Sequence, residues 1–586
     1  MSNRDRQIDG AGENARDGAR GVRWLGLDAL RGLAILLMCL SGMIPKTLPN
    51  WMDHGYQPHY RPNAEGVWQR TFDPAKDEDP KFDGRWKAYT WVDWVFPGFL
   101  FAMGAAIPLA MRPRIDAREK WHRLIGGVFL RWLSLIAFAY FVHQFSYHAL
   151  RGEPLLRQML SLVGFALCFA LYVRLPRNTT ASLARWIRLG SLATILCLIV
   201  AINSLPGQTF KWDERDIIIL LLAHGYLVAS LAWLVTRDWP WVRFAMLAPV
   251  LLLAHYVAIS PSQYPEWLWL GKDLWTAVDN VVKQPLIWLN VPKWINASSP
   301  FATEAWKPLL DFTPLWNFSW YKFLWCIIPG TMAGDWALRW ARSGSSSGLT
   351  NLRSVATIVL PVLIAAGTFA GLQHYGYPVI GVGGPLATPY LAVVLTLPLV
   401  VGYLVAVWPS SQTGAAHFTL SIVGASFLLI GIALAVLRVP AADGSGNWVF
   451  FEGGISKGPP ATLSYYFTAV GNSMLLLVAL TELIDIRGFR KSTGLLIANG
   501  QNPLLAYYLS HGTVAAVLAL AIFSPWAASM PDIKGGKAIS IELLFGSHYF
   551  NPNEQPWIGF LWGAIKTLLI AAIVWMCTKL RLIWRA

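Results

Sequence analysis

The chain has 586 residues, of which 55% are hydrophobic and 14% charged, and its mean hydropathy is +0.43. These values suit a bilayer rather than water and exclude a string of soluble domains. The net charge of +15 is spread over the ends of apolar runs, at Arg16, Arg20 and Arg23, in RPRIDAREKWHR from Arg112, at Arg487, Arg490 and Lys491, and in the tail KLRLIWRA, which marks cytoplasmic loops and argues against nucleic-acid binding.

Residues 1–22 are polar and read as a disordered cytoplasmic tail, leaving 23–586 as a single transmembrane domain. The first apolar run, Trp24 to Ile44, is too long for a signal-peptide core and has no small-residue cleavage site before Pro45, so it reads as a retained anchor. Further runs start near Tyr89, Arg123, Leu155, Trp186, Asp216, Trp241, Trp320, Leu352, Pro389, Phe418, Leu463, Asn499 and Trp557. The expected fold is therefore an all-α polytopic bundle of roughly 11–14 transmembrane helices, each of about twenty residues. Alternate connections are short and basic, except the uncharged one from Ser410 to His417. The other set holds the long segments 45–88, 260–316, 439–462 and 525–556. The charge bias places both termini in the cytoplasm and the long loops outside, which means the inner membrane and periplasm if the cell is bacterial and an organelle lumen if it is eukaryotic. The 31 Trp residues suit the two interfaces. Cys39, Cys168, Cys197, Cys326 and Cys577 all lie in apolar runs with no CxxC spacing, so no disulfide framework and no metal site is expected.

Four segments carry ionisable or polar groups that a bilayer disfavours. In the first span, Asp28 and Arg31 are spaced i,i+3, which suits a local ion pair or an inlet for an anionic ligand. WMDHGYQPHYRPN follows, where His54 is a candidate general base or acyl-accepting nucleophile, with Asp53 and His59 nearby. TWVDWVFPGFLFAMGAAIPLAM then places Asp93 at a helix start, either as a cap or as the group that orients His54. Late in the chain, ANGQNPLLAYYLSHGTV puts Gln501, Asn502, Tyr507, Tyr508 and His511 in an apolar helix. There Leu504, Tyr508 and His511 share one face by spacing, and the polar groups serve interhelical hydrogen bonds or a substrate tunnel. The chain has no P-loop, GxSxG or HExxH motif.

LDALRGLAILLM, the His-bearing loop joined to TWVDWVFPGFLFAMG, and GQNPLLAYYLSHGTV together resemble the heparan-α-glucosaminide N-acetyltransferase family of transmembrane acyltransferases. FLWCIIPGTMAGD and VFFEGGISKGPPATLSYYF look like its bacterial branch. The resemblance implies transfer of an acetyl group from cytoplasmic acetyl-CoA to an amino sugar or related glycan across the membrane. It maps the outer-loop His onto His54, with His59 as competitor, and the residue reading adds Asp93 as the group that could orient it. The first span carries Ser41 and Gly42 where lysosomal members have an Asn, so Ser41 stands in its place. Asp28, Arg31, Ser41, Asn502, Tyr508 and His511 are the expected binding residues, and Arg31 is the candidate phosphate partner. Acetyl-CoA acts as donor substrate, and a homodimer is an admissible assembly. The competing functions are O-acetylation of an envelope polysaccharide and transport or flipping of a glycan or lipid-linked glycan.

Overall fold

The computed structural model describes residues 23–45, 89–147, 154–175, 179–203, 214–245, 312–342, 351–372, 389–408, 415–440, 461–514 and 556–584, with short stretches elsewhere. The helices are α1 (Leu25–Ser41), α2 (Trp91–Asp116), α3 (Trp121–Gln144), α4 (Pro154–Tyr172), α5 (Ala181–Asn203), α6 (Ile217–Thr236) and α7 (Leu324–Arg342). They continue as α8 (Asn351–Gly371), α9 (Pro389–Ala406), α10 (Ala415–Val436), α11 (Leu463–Leu480), α12 (Gly494–Gln501), α13 (Pro503–Tyr508) and α14 (Pro556–Lys579). The protein is an all-α polytopic membrane bundle. Among the described residues eight helices are long and apolar enough to cross a bilayer, and α4 and α9 are shorter apolar helices. The run expected near Trp241 shows only a few helical turns among the described residues.

Most successive helices run in alternating directions, as contacts between their ends show, but α6 and α7 run the same way, since Trp233 and Thr236 near the finish of α6 share one cluster with Asp335 late in α7. Trp91, at the start of α2, packs with Leu40 and Ile44 from the finish of α1. Gln144, closing α3, donates to the Glu214 carbonyl just before α6 at 3.4 Å. Tyr89 N, before α2, donates to the Leu372 carbonyl after α8 at 2.9 Å. Arg353, opening α8, reaches the Trp408 carbonyl after α9 at 3.2 Å. The bundle thus has a first end, where α1 begins, and a second end, where α1 finishes. The short basic connections 117–120 and 487–493 lie at the first end. Three small antiparallel hairpins, Tyr60–Pro62 with Trp68–Arg70, Arg438–Pro440 with Trp448–Phe450, and Ala521–Ile522 with Ile539–Ser540, fall in connections that leave the helices at the second end.

The centre is built by α2 and α11, whose apolar windows are 78% and 83% buried, whereas α5 and α14 are 17% and 28% buried and lie at the lipid-facing periphery. Exposed Leu130, Trp186, Val235 and Leu352 therefore belong to the surface that lipid covers. Near the first end one charged cluster is fully enclosed. Arg243 donates to Asp335 Oδ2 at 3.0 Å, to Thr331 Oγ1 at 2.7 Å and to Thr236 Oγ1 at 2.9 Å, while Trp233 Nε1 holds Asp335 Oδ1 at 2.9 Å. A guanidinium so fully satisfied ties α6, α7 and the segment after α6 together and leaves no donor geometry for a ligand.

Candidate functional site

The late polar segment forms a broken span. Pro503 has no N–H, so the helix that begins at Gly494 cannot continue through it, and Asn502 takes φ −132°, ψ 50° between α12 and α13. After Tyr508 the chain widens into a π turn over Leu509–Thr513. A broken helix in a bilayer must have its freed carbonyls paired by neighbours. Arg31 does this for one of them, donating from Nη1 to the Gly500 carbonyl at 3.1 Å. Gln501 Nε2 lies 3.3 Å from Asp28 Oδ2, and Asp28 also meets Arg23 at 3.2 Å and Arg31 at 3.8 Å. The structure therefore joins two groups of residues that are some 470 positions apart in sequence. Asp28 and Arg31 pair locally, and Arg31 also faces the break.

This contact requires α1 and α12 to touch backbone to backbone. A Cβ on Gly500 would lie 1.6 Å from the Asp28 carbonyl oxygen, and one on Gly32 would lie 1.8 Å from that of Leu496. Only glycine fits at either position. The start of α1 has no side-chain cap of its own. Asp485 supplies one from the other chain segment, accepting from Leu25 N at 3.0 Å and Gly26 N at 2.8 Å.

Higher on the broken span, Asn502 is fully buried and uses both ends of its amide. Nδ2 donates to the Leu582 carbonyl at 2.9 Å and Oδ1 accepts from Trp584 N at 3.0 Å. Its observed task is to hold the returning segment after α14. Tyr508 faces Phe138, Phe165 and Trp584, with ring centroids 5.6–6.1 Å away. His511 does not share that face. The π turn rotates it away, and it stacks on Tyr507 at 4.0 Å instead. Spacing that assumes an uninterrupted α-helix misplaced this pair.

At the second end His511 meets Asp216, the N-cap of α6. Asp216 Oδ1 accepts from Ile219 N at 2.9 Å, and Oδ2 accepts from Tyr507 Oη at 2.7 Å and lies 3.3 Å from His511 Nε2. His511 Nδ1 is 2.9 Å from the Tyr507 carbonyl. Both ring nitrogens thus face acceptors, an arrangement fully bonded only when both carry protons. Ser146 Oγ donates to the His511 carbonyl at 2.7 Å, so α3 and α6 fix the turn from two sides. The cluster sets an imidazole beside a carboxylate, with the His511 side chain 35% exposed.

Asp93 is a cap. Its carboxylate accepts from Thr90 N and Thr90 Oγ1 at 3.1 Å, closing a capping box at the start of α2, and its carbonyl takes a bond from Tyr465 Oη at 3.0 Å. Ser41 bonds back to the Met38 carbonyl at 2.9 Å. His54, Asp53 and His59 lie outside the described residues, so their geometry relative to Asp93 is not on view. The structure adds Asp216 and Trp584, which residue patterns did not single out. Asp216 opens an apolar run as a cap does, and its pairing with His511 rests on helix packing alone. Among the described residues no cluster of His, Cys, Asp and Glu could hold a metal ion.

Residues 23–277 match the profile of a family described as a domain of unknown function, DUF5009. The match covers α1 to α6. No curated protein matches the chain. The matched part carries Asp28, Arg31, Asp93 and Asp216, whereas the broken span with Asn502 and His511 lies beyond it.

Proposed function

We propose that the protein is a membrane-embedded acetyltransferase, which takes acetyl groups from acetyl-CoA at the first end and delivers them to an amino sugar or related glycan at the second. The observation that carries this reading is the broken span. One discontinuous segment meets the Asp28 and Arg31 pair near the first end and holds His511 against Asp216 at the second. The first contact joins two of the motifs that resemble the heparan-α-glucosaminide N-acetyltransferase family, and the second involves His511 from the later of them. The basic short connections favour the cytoplasm for the first end, where acetyl-CoA is made, and an inner-membrane location in a bacterial cell.

On this reading the acceptor amine attacks the thioester carbonyl carbon, the C–S bond breaks, the CoA sulfur leaves as thiolate, and the proton lost by the amine passes to a base. A neutral imidazole suits that step. His511 has both ring nitrogens engaged, so the base is assigned to His54, either by direct transfer or after carrying the acetyl group itself. Arg31, with a second donor nitrogen beyond the one bonded to Gly500, is the partner for CoA phosphate.

Purified protein incubated with labelled acetyl-CoA and glucosamine should move label onto the amine, and a His54→Ala variant should not. Wild-type transfer by that variant refutes the role of His54. No transfer by the native protein to any amine, with transfer to a polysaccharide hydroxyl, replaces N-acetylation by O-acetylation. Failure with both acceptors refutes the enzyme and leaves glycan transport.

A further inference from the structure

After α14 the chain reverses at Arg581, whose φ of +62° is unusual for a residue with a side chain. It then re-enters the bundle between α3, α4 and α13. Trp584 ends up 3% exposed. Its indole is stacked between Phe165 and Tyr172, each 6.0 Å away and tilted 26°, with Phe138, Phe169 and Tyr508 around its edges. The backbone of this segment is held by Asn502 on one side and by Arg174 N, which donates to the Ile583 carbonyl at 2.8 Å, on the other. The segment is thus an insert, attached by side-chain packing and a few bonds, and not part of a transmembrane helix.

At and around the indole, several buried polar atoms have no hydrogen-bond partner among the described residues. They are Trp584 Nε1, Tyr508 Oη, Ser161 Oγ on α4, and Thr513 Oγ1 on the π turn that packs against α4. Tyr508 Oη lies against the thiol of Cys168. Leaving such groups dry is unfavourable, and here they gather where the indole, Tyr508, α4 and the π turn that holds His511 meet. Polar atoms spaced in this way are at low energy only when a polar chain or water runs past them.

We propose that Arg581–Trp584 is a displaceable plug on a polar passage that runs between α4 and the broken span to His511. With the indole withdrawn, the passage fills with water from the first end and Cys168, now fully buried, lines it. The plug stands independently of acetyl transfer, because its test needs no substrate.

The test is thiol labelling of the full chain in detergent with a charged, water-soluble methanethiosulfonate, read residue by residue by mass spectrometry. Exposed Cys197 and half-buried Cys577 are first changed to Ser. In this background Trp584→Ala should speed labelling of Cys168 by about tenfold or more, the effect of moving a closed and open equilibrium by ~1.4 kcal/mol. Asn502→Ala, which removes both bonds to the returning segment and keeps the rings, should act in the same direction. Cys326, fully buried on α7, reports general loosening and should label no faster. Cys168 labelling unchanged in both variants overturns the proposal. So does an equal rise at Cys168 and Cys326.

Discussion

Replacing Gly500 by Ala tests whether the α1–α12 contact holds the break in place. The added Cβ would sit 1.6 Å from the Asp28 carbonyl oxygen and 2.8 Å from Gly32 N. Ordinary contact begins near 3.4 Å, so the two backbones must separate by about 1.8 Å. Neither neighbour is a flexible side-chain tip that could swing aside. The separation breaks the Arg31 bond to the Gly500 carbonyl and the Gln501 contact with Asp28. Overpacking of about 1–3 kcal/mol and loss of a charge-assisted bond of about 1.5–3 kcal/mol give an expected destabilisation of about 3–5 kcal/mol. The assay is the temperature at which half of the detergent-solubilised protein leaves the monodisperse peak in gel filtration. Gly402→Ala on α9 is the control, since its added Cβ meets nothing within 4 Å and alanine favours a helix. Gly500→Ala should melt far below both the native protein and this control. Equal melting of the two variants would show that α1 and α12 do not touch as described.

Three other outcomes follow from the same contacts. Arg243→Met alone should destabilise by about 3–5 kcal/mol because it leaves Asp335 enclosed without its cation, whereas the double change with Asp335→Leu should recover much of the loss in a thermal-melting cycle. Asp216→Ala removes the α6 cap and the partner of both Tyr507 and His511, so melting should fall by about 2–4 kcal/mol and acetyl transfer by about tenfold or more; native activity in this variant would separate the cluster from catalysis. In the turn between α2 and α3, hydrogen bonds from the Arg114 guanidinium at 2.7 and 2.8 Å hold the Glu119 carboxyl below the usual carboxylate range. The folded value is depressed, so the pair is intact above the ordinary carboxylate pKa and is lost as pH falls through the lowered one. Limited proteolysis between Asp116 and Trp121 should rise only under strong acid, and Glu119→Gln should abolish that pH dependence.

Residue order alone determined the membrane class, the starts of most helices and the alternation of short basic with long connections. These depend on local quantities, namely twenty-residue hydrophobicity and the cost of carrying charge across lipid. The described helices start within about five residues of the expected runs from Trp24 to Asp216, and Asp93 as a cap was readable because a capping box spans four consecutive residues. Residue order also flagged Asp28, Arg31, Asn502 and His511, since polar groups inside apolar runs are conspicuous. It did not yield their partners. Whether Asn502 meets a ligand or the Trp584 segment, and whether His511 stands beside Tyr508 or Asp216, depends on a helix break, a π turn and the packing of α1, α4 and α6 around them. Each of those contacts joins residues tens to hundreds of positions apart, and a one-residue change in helical register redirects them. Only the tertiary structure decided them, because hydrophobic periodicity fixes where a span lies but leaves its rotation and neighbours to side-chain packing.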